Sequence, residues 1–292
     1  SSDLEGTTLP QDVVPTKRVI LSFLARLFDP LGFLVPYALV AKCLFQELWT
    51  LGVQWDEVIP VALQDRFIRW LSGLEALKLW KIPRQFVSAP WCEIVESGEH
   101  LHVFSDASEK GYGAVIYLCA TSASGSLSSS LIMSKAKVAP LKKITLPRLE
   151  LLGCLLAARL LRFVRDALQL GESVSYSCWT DSTVALAWIR GDPSRWKQFV
   201  ANRVREIHDL SDPACWKHCP GKENPADLAS RGVLAEDLME SDVWLSGPPW
   251  LVNPPTQSVD DCPNIEVVET ESKSVTLVCA NSQLEEVYQF DR

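Results

Sequence analysis

The chain has 292 residues, and 47% of them are hydrophobic, so it is long enough to bury cores in about two domains. The most apolar stretch, 19–41, contains Arg26, Asp29 and two prolines, whereas a membrane span needs about 20 nearly uninterrupted apolar residues. We therefore predict no membrane helix. Nine scattered cysteines without CxxC spacing argue against a disulfide framework and favour an intracellular, cytoplasmic protein. The chain begins with Ser1 and shows no secretory signal, which fits a piece of a longer polypeptide.

The net charge of −8 conceals a division along the chain. Residues 101–232 carry a net charge of +5, and residues 233–292 carry −10. A basic middle segment is what a surface that binds phosphates requires. The acidic average therefore does not exclude a nucleic-acid partner.

The first hundred residues predict a helical segment. Residues 1–15 are polar and read as a linker, and the segment 16–100 then contains apolar runs with helical spacing. These runs cover about 20–28, 39–51 and 63–79, and the turn Asp29-Pro30-Leu31-Gly32 separates the first two.

From residue 101 the pattern changes to short strands followed by helices. The Pro-containing start of one Leu-rich helix and the glycine after it are typical helix boundaries. We predict a domain over 101–232 of the α/β class, with a mixed five-stranded sheet flanked by helices. The predicted strands are 101–106, 114–120, 131–136, 174–179 and 215–219, and the predicted helices are 147–168, 183–189, 193–210 and one starting near 225.

The last segment, 233–292, is acidic and contains Pro248, Pro249, Pro254 and Pro255. Such a composition is more typical of a linker than of a core. We predict an acidic, Pro-containing linker or tail.

Four acidic residues lie near the ends of these predicted strands and helices. Asp106 and Asp181 each end a predicted strand, where open α/β sheets bind ligands, and parallel neighbouring strands would bring them together. Glu150 begins an otherwise apolar helix, where a lone buried carboxylate would be costly unless paired or bound to metal. Asp227 lies near the start of the last helix. Each acid alone is more simply a turn or capping residue, but four in this order are harder to dismiss.

A cluster of carboxylates suits phosphodiester hydrolysis. Two Mg²⁺ ions can stabilise both the attacking and the leaving oxygen, and Mg²⁺ prefers oxygen ligands. We expect these four acids to hold two Mg²⁺ ions, with Mn²⁺ as a possible substitute.

The predicted helix 193–210 carries the candidate nucleic-acid contacts. Basic and polar residues surround Trp196 and Phe199 there, so the helix either follows a nucleic-acid backbone or is simply amphipathic with a solvated face. The candidates are Arg190, Arg195, Lys197, Asn202 and Arg203.

Four motifs resemble the ribonuclease H region of Pao/BEL-type LTR retrotransposon polyproteins, often filed as the Pao retrotransposon peptidase family. They are Asp106-Ala107-Ser108, Leu146-Pro147-Arg148-Leu149-Glu150-Leu151, Trp179-Thr180-Asp181-Ser182 and Asn224-Pro225-Ala226-Asp227-Leu228-Ala229-Ser230-Arg231-Gly232. The resemblance implies a ribonuclease H-like fold, with the four acids as metal ligands and catalytic residues. The segment 17–83 is similar to the thumb and connection of the reverse transcriptase. The implied activity is cleavage of the RNA strand of RNA–DNA hybrids, with the remaining polyprotein as partner.

The chain also departs from that family. It contains no Tyr-x-Asp-Asp turn, so DNA synthesis does not reside in this chain alone, and His218 lies on a predicted strand rather than in a mobile loop. An aspartic protease would need Asp-Thr/Ser-Gly, and neither Asp106 nor Asp181 begins such a motif. A catalytically inactive nucleic-acid-binding module stays open as the alternative.

Overall fold

The computed structural model describes residues 14–82, 100–121, 127–170, 174–253 and 265–273. The greater part of the predicted linker 1–15 and part of the acidic tail lie outside the described residues. Among the described helices, none has the length and apolar character to cross a membrane.

The N-terminal segment forms the helices that its periodicity predicts. They are α1 (Lys17–Arg26), α2 (Val35–Thr50) and α3 (Val61–Leu79). Gly32 adopts a φ of 82°, and the Asp29 carboxylate accepts hydrogen bonds from the backbone N–H groups of Phe33 and Leu34 at 2.9 and 2.7 Å. The turn therefore orients α2 through side-chain capping and a left-handed glycine.

The strands form one five-stranded sheet in the order β3-β2-β1-β4-β5. Strands β1, β2 and β3 are antiparallel neighbours, whereas β1 pairs with β4, and β4 with β5, in parallel. This mixed sheet confirms the predicted fold class. The strands are β1 (His100–Ala107), β2 (Gly111–Thr121), β3 (Leu127–Val138), β4 (Ser175–Thr180) and β5 (Trp216–His218).

The two faces of the sheet are covered by different helices. Helix α4 (Leu146–Ala167) packs on β1 and β2 from one side, with α5 (Thr183–Arg190) and α6 (Gln198–Leu210) beside it. The opposite face packs against the N-terminal helices and α7 (Ala226–Arg231). Each face has its own apolar core, and the one on the α4 side is called the first core below. Successive side chains of β1 point to opposite faces, so Leu101 and Val103 belong to the first core and Phe104 to the second.

The segment 233–253 corrects the tail prediction. It forms α8 (Ala235–Met239) and α9 (Asp242–Ser246), followed by a turn of 3₁₀ helix. Trp244 is completely buried, and its indole N–H donates to the backbone oxygen of Phe33 at 2.8 Å. The acidic residues of this segment, Glu236, Asp237, Glu240 and Asp242, are exposed, so the average composition hid the buried positions.

The predicted helix 193–210 is also divided. Pro193–Arg195 form a 3₁₀ turn, the chain is extended at Trp196, and α6 begins at Gln198. Trp196 is buried in the first core, and its backbone forms a β-bridge with Ser272, a distant residue of the described C-terminal segment. Helix α10 (Ile265–Glu269) begins that segment.

Candidate metal site and nucleic-acid interface

Strands β1 and β4 bring two of the four acids together. Ser105 is the parallel partner of Thr180, so Asp106 and Asp181 follow at neighbouring positions at the carboxyl ends of the two strands. Their carboxyl groups are close enough to share a hydrogen bond. The parallel pairing on which the convergence of these acids depended is therefore present.

Helix α4 places Glu150 beside this pair. Gly153, one turn further along α4, faces β1 so closely that a Cβ there would lie 2.9 Å from the backbone oxygen of Asp106. The glycine therefore allows the helix to approach the strand. The Glu150 carboxylate accepts a short hydrogen bond from the Ser182 hydroxyl, which also caps α5.

Asp227 reaches the same region from α7. The Asn224 side chain donates to the backbone oxygen of Ser105 at 2.9 Å, which fixes the start of α7 against β1. The Asp227 carboxylate forms a short ion pair with Arg231, one turn later on the same helix. Asp227 still raises the pKa of both Asp106 and Asp181 through its charge, which places it within electrostatic range of them.

Asp106 is buried, Asp181 is half-buried, and the two carboxyl groups repel each other. Burial raises the pKa of Asp106, and the charge of Asp181 raises it further, although a short hydrogen bond from Ser230 opposes the shift. Burial also raises the pKa of Asp181, with Glu150 as the next cause. The pKa of Glu150 is likewise raised by burial. Acids with raised pKa values gain most from a bound cation, because the cation removes the repulsion.

The donor set suits a hard divalent cation, but its present conformation does not form a complete site. Among the described residues, no three His, Cys, Asp or Glu side chains are arranged to hold a metal ion. Ser182, Ser230 and Arg231 each donate to an oxygen of a different acid. Carboxylate oxygens are the ligands that Mg²⁺ prefers, and these donors would have to exchange for the ion.

Four of the five candidate nucleic-acid residues are exposed, and Arg203 is half-buried. Arg190 donates to the backbone oxygen of Trp216 at 2.8 Å, and Asn202 is exposed and accepts from Arg205. Arg203 stacks on Phe199, with its guanidinium carbon 3.5 Å from the ring centroid. The Arg195 and Lys197 side chains are exposed, and each also donates a hydrogen bond to the described C-terminal segment.

The family comparison covers most of the site. A family model described as the Pao retrotransposon-like RNaseH-like domain matches residues 16–182, more than half of the chain. The chain belongs to this Pao retrotransposon-like family. The match includes Asp106, Glu150 and Asp181, whereas Asp227 and the basic helix α6 follow it. The chain is therefore the RNase H-like domain of a retrotransposon, as its motifs predicted.

Solved structures similar to this Pao-family chain include RNase H proteins. The N-terminal RNase H domain of a Mycobacterium tuberculosis protein, solved as a fusion with maltose binding protein, is 15% identical, with a TM-score of 0.30 over 50% of this chain and 95% of that one. RNase H1 of Halobacterium salinarum is 13% identical, with a TM-score of 0.28 over 48% and 98% of the two chains. The prototype foamy virus protease-reverse transcriptase is 14% identical, with a TM-score of 0.27 over 73% of this chain and 26% of that one. No curated protein sequence matches.

Two residues that hold the acids in place were not among the predicted site residues. Ser182 and Ser230 donate to the carboxylates of Glu150 and Asp106. Ser182 directly follows Asp181 and precedes a helix, which is a recognisable capping signal. Ser230 offers no comparable signal, because 124 residues separate it from Asp106.

Proposed function

We propose that this retrotransposon domain is a metal-dependent endonuclease that cleaves the RNA strand of RNA–DNA hybrids. One observation carries the proposal. Asp106 and Asp181 end adjacent parallel strands, and Glu150 is held against them by the close approach of Gly153 to β1. Buried acids kept together at energetic cost are typical of a functional site.

The four acids have distinct places in the proposed site. Asp106 and Asp181 stand at its centre and would be the ligands shared by two Mg²⁺ or Mn²⁺ ions, with Glu150 and Asp227 on either side. Bound ions of this kind supply charge stabilisation for the attacking and leaving oxygens of a phosphodiester. Ser182 and Ser230 hold the Glu150 and Asp106 carboxylates in the site through their hydroxyl hydrogen bonds.

The proposed substrate follows from the shape of nucleic acids. An RNA–DNA hybrid has an A-like form and 2′-hydroxyls on one strand only, so a protein can select it without reading base sequence. We expect the rest of a reverse transcriptase polyprotein as the partner that supplies the hybrid. The intracellular, cytoplasmic location stays a prediction.

The test is incubation of the full chain with end-labelled RNA–DNA hybrid in Mg²⁺, in Mn²⁺ and in chelator. We expect cuts in the RNA strand with either metal and none in chelator. Matched duplex DNA and duplex RNA serve as substrate controls. Equal cutting of duplex DNA, or cutting in chelator, would contradict the proposal.

A catalytically inactive nucleic-acid-binding module is the second candidate. It is favoured by the protein donors that already occupy oxygens of Glu150, Asp106 and Asp227. Binding of hybrid without cleavage in either metal would select this alternative.

A further inference from the structure

An acidic part of the chain lies on the basic surface beside the carboxylates. Residues 265–273, called the strap below, place Glu271 against Arg148 and Glu269 against Arg195. The Arg148 guanidinium donates to both carboxylate oxygens of Glu271 at 2.7 and 3.0 Å, and Arg195 donates to Glu269 at 3.1 Å. The carboxylates of the strap therefore pair with Arg195, one of the predicted nucleic-acid contacts, and with Arg148, two residues before Glu150.

Backbone contacts hold the strap in register. The Lys197 N–H donates to the backbone oxygen of Glu271 at 2.6 Å, and the Lys273 N–H donates to that of Arg195 at 2.8 Å. Val268 is buried, and its backbone oxygen accepts from the Trp188 indole at 3.1 Å. These contacts fix where the two carboxylates lie, so their pairing with arginines is part of an ordered arrangement.

The underlying surface carries more positive charge than the strap neutralises. Arg203 and Arg148 both lie over the Phe199 ring, with guanidinium carbons 3.5 and 4.8 Å from its centroid. Burial lowers the pKa of Arg203, and the charges of Arg148 and Arg159 lower it further. Within the described part of the chain, the Arg203 Nε is buried without a hydrogen-bond partner. Arginines crowded together in this way favour a polyanionic ligand.

A carboxylate and a phosphate present the same kind of partner to arginine. Both accept two parallel N–H hydrogen bonds from a guanidinium, which is the geometry of Glu271 with Arg148. The two glutamates therefore mark positions that phosphate oxygens can occupy. Arg148 lies two residues before Glu150, so one such position adjoins the proposed site of cleavage.

We propose that Arg148 and Arg195 bind backbone phosphates of the hybrid, and that Glu269 and Glu271 occupy the same positions until nucleic acid displaces the strap. The proposal rests on the nucleic-acid ligand of the proposed function but not on cleavage. If the strap covers the surface nine-tenths of the time, the apparent dissociation constant is weakened about tenfold. The strap then acts as a built-in competitor.

The first experiment compares hybrid binding by the full chain and by the double variant Glu269→Gln, Glu271→Gln. Binding of labelled hybrid is measured in chelator, where the proposed nuclease does not cut. We expect the variant to bind about tenfold more tightly. We also expect a steeper salt dependence, because exchanging a bound carboxylate for a phosphate releases fewer counterions than binding to a free arginine.

A control variant removes the same charge elsewhere. Asp237 in α8 and Glu240 directly after it are exposed, and Asp237→Asn with Glu240→Gln changes the net charge equally. If the two double variants gain the same affinity for hybrid, the effect is one of overall charge and the proposal is overturned. An unchanged dissociation constant in the strap variant would also overturn it. Arg148→Gln added to the strap variant should reverse part of its gain, and unchanged binding there would refute the role of Arg148.

A second experiment needs no variant and so does not depend on how the substitutions fold. Amide hydrogen exchange at Lys197 and Lys273 reports the two backbone hydrogen bonds of the strap. Saturating hybrid in chelator should speed exchange at both amides, because the strap leaves the surface. Unchanged or slower exchange would show that the strap stays in place and would overturn the proposal. If the chain fails to cleave hybrid in Mg²⁺ but shows these changes in exchange, the proposed nuclease activity is refuted. The proposed competition between the strap and nucleic acid is not.

Discussion

At the scale of single residues, the carboxylates are held together against their mutual repulsion. Burial and neighbouring negative charge raise the pKa values of Asp106 and Asp181. Such an arrangement lowers the stability of the metal-free fold, because each ionised acid destabilises the other. The energetic cost is consistent with selection for a site rather than for stability.

The substitution Asp181→Asn separates a metal ligand from a structural turn residue. We expect it to abolish cleavage and leave hybrid binding largely unchanged, because Asn keeps the shape but cannot neutralise a cation. Loss of one repelling charge should raise the free energy of unfolding in chelator by about 1 kcal/mol. Thermal melts with Mg²⁺ and with chelator, read beside a cleavage assay, give both results.

Asp212→Asn is the matched control for that change. Asp212 is an exposed cap that accepts from the Ala214 N–H at 2.9 Å, and Asn can cap equally well, so both readouts should stay near wild type. An Asp181→Asn protein that still cuts RNA would end the assignment of Asp181 as a metal ligand.

His102 should give the fold a dependence on pH that is independent of the acids. Its Nδ1 accepts from the Trp179 indole at 3.1 Å, and burial, together with nearby His100 and Lys217, lowers the pKa of His102 to about 3. Between about pH 6.5 and pH 3 the unfolded chain binds a proton there that the folded chain does not. Stability from this residue is therefore complete above about pH 6.5 and is lost as the pH falls.

Urea unfolding between pH 4 and pH 7 measures this effect. We expect the unfolding free energy of the wild type to fall more steeply toward acid than that of His102→Asn, by up to about 1.4 kcal/mol per pH unit. Asn can keep an acceptor for the Trp179 N–H and does not titrate. Parallel pH profiles for the two proteins would mean that His102 has the same pKa in the folded and the unfolded chain.

At the scale of elements, one glycine sets the distance between α4 and β1. A Cβ at Gly153 would meet the backbone oxygen of Asp106 at 2.9 Å, and a backbone atom in a sheet cannot easily move aside. The helix also carries Glu150 one turn earlier. The packing of α4 on β1 thus determines how closely Glu150 approaches Asp106.

Gly153→Ala adds only a methyl group, but we expect it to disturb the site more than that small volume suggests. Overpacking is expected to lower the free energy of unfolding by about 1 to 3 kcal/mol, despite a helix-propensity gain of up to about 1 kcal/mol for Ala over Gly. Cleavage by the folded protein should fall because Glu150 moves away from Asp106. Chemical denaturation and single-turnover cleavage test this together, and a more stable, fully active variant would refute the close contact.

At the scale of the whole molecule, the helical segment and the sheet share a core. Phe104, Val115 and Tyr117 from the sheet belong to the same cluster as Tyr37, Phe67 and Trp70 from the helices. Trp244 closes this cluster from the C-terminal side, 211 residues after its hydrogen-bond partner Phe33. The domain boundaries predicted near 100 and 232 therefore cut through a continuous apolar contact.

A fragment of residues 100–232 should not fold as the full chain does. Removing α1, α2, α3, α8 and α9 exposes the apolar face of β1 and β2, so we expect dye binding, weak near-ultraviolet circular dichroism and a broad unfolding transition. A fragment of residues 14–273 serves as the control and should unfold cooperatively. Dispersed, sharp NMR signals from the 100–232 fragment would show that the boundaries define an independent domain.

The sequence by itself determined the elements and the positions of the acids on them. Alternation and helical periodicity are local signals, so they predicted each strand of the sheet, the helix of Glu150, and the positions of Asp106 and Asp181 within one residue of the ends of β1 and β4. Motifs spaced along the chain were also sufficient to indicate the family, which the comparison with known families confirmed. These features depend mainly on neighbours in sequence.

Only the tertiary structure decided which groups those residues meet. Composition predicted a tail where Trp244 is buried, and periodicity predicted one helix where the strap pairs with Trp196. The hydrogen bond from Ser230 to Asp106 joins residues 124 positions apart. Contacts over such separations depend on how the formed helices and strands pack together. A local sequence pattern does not indicate which distant residue will be the partner.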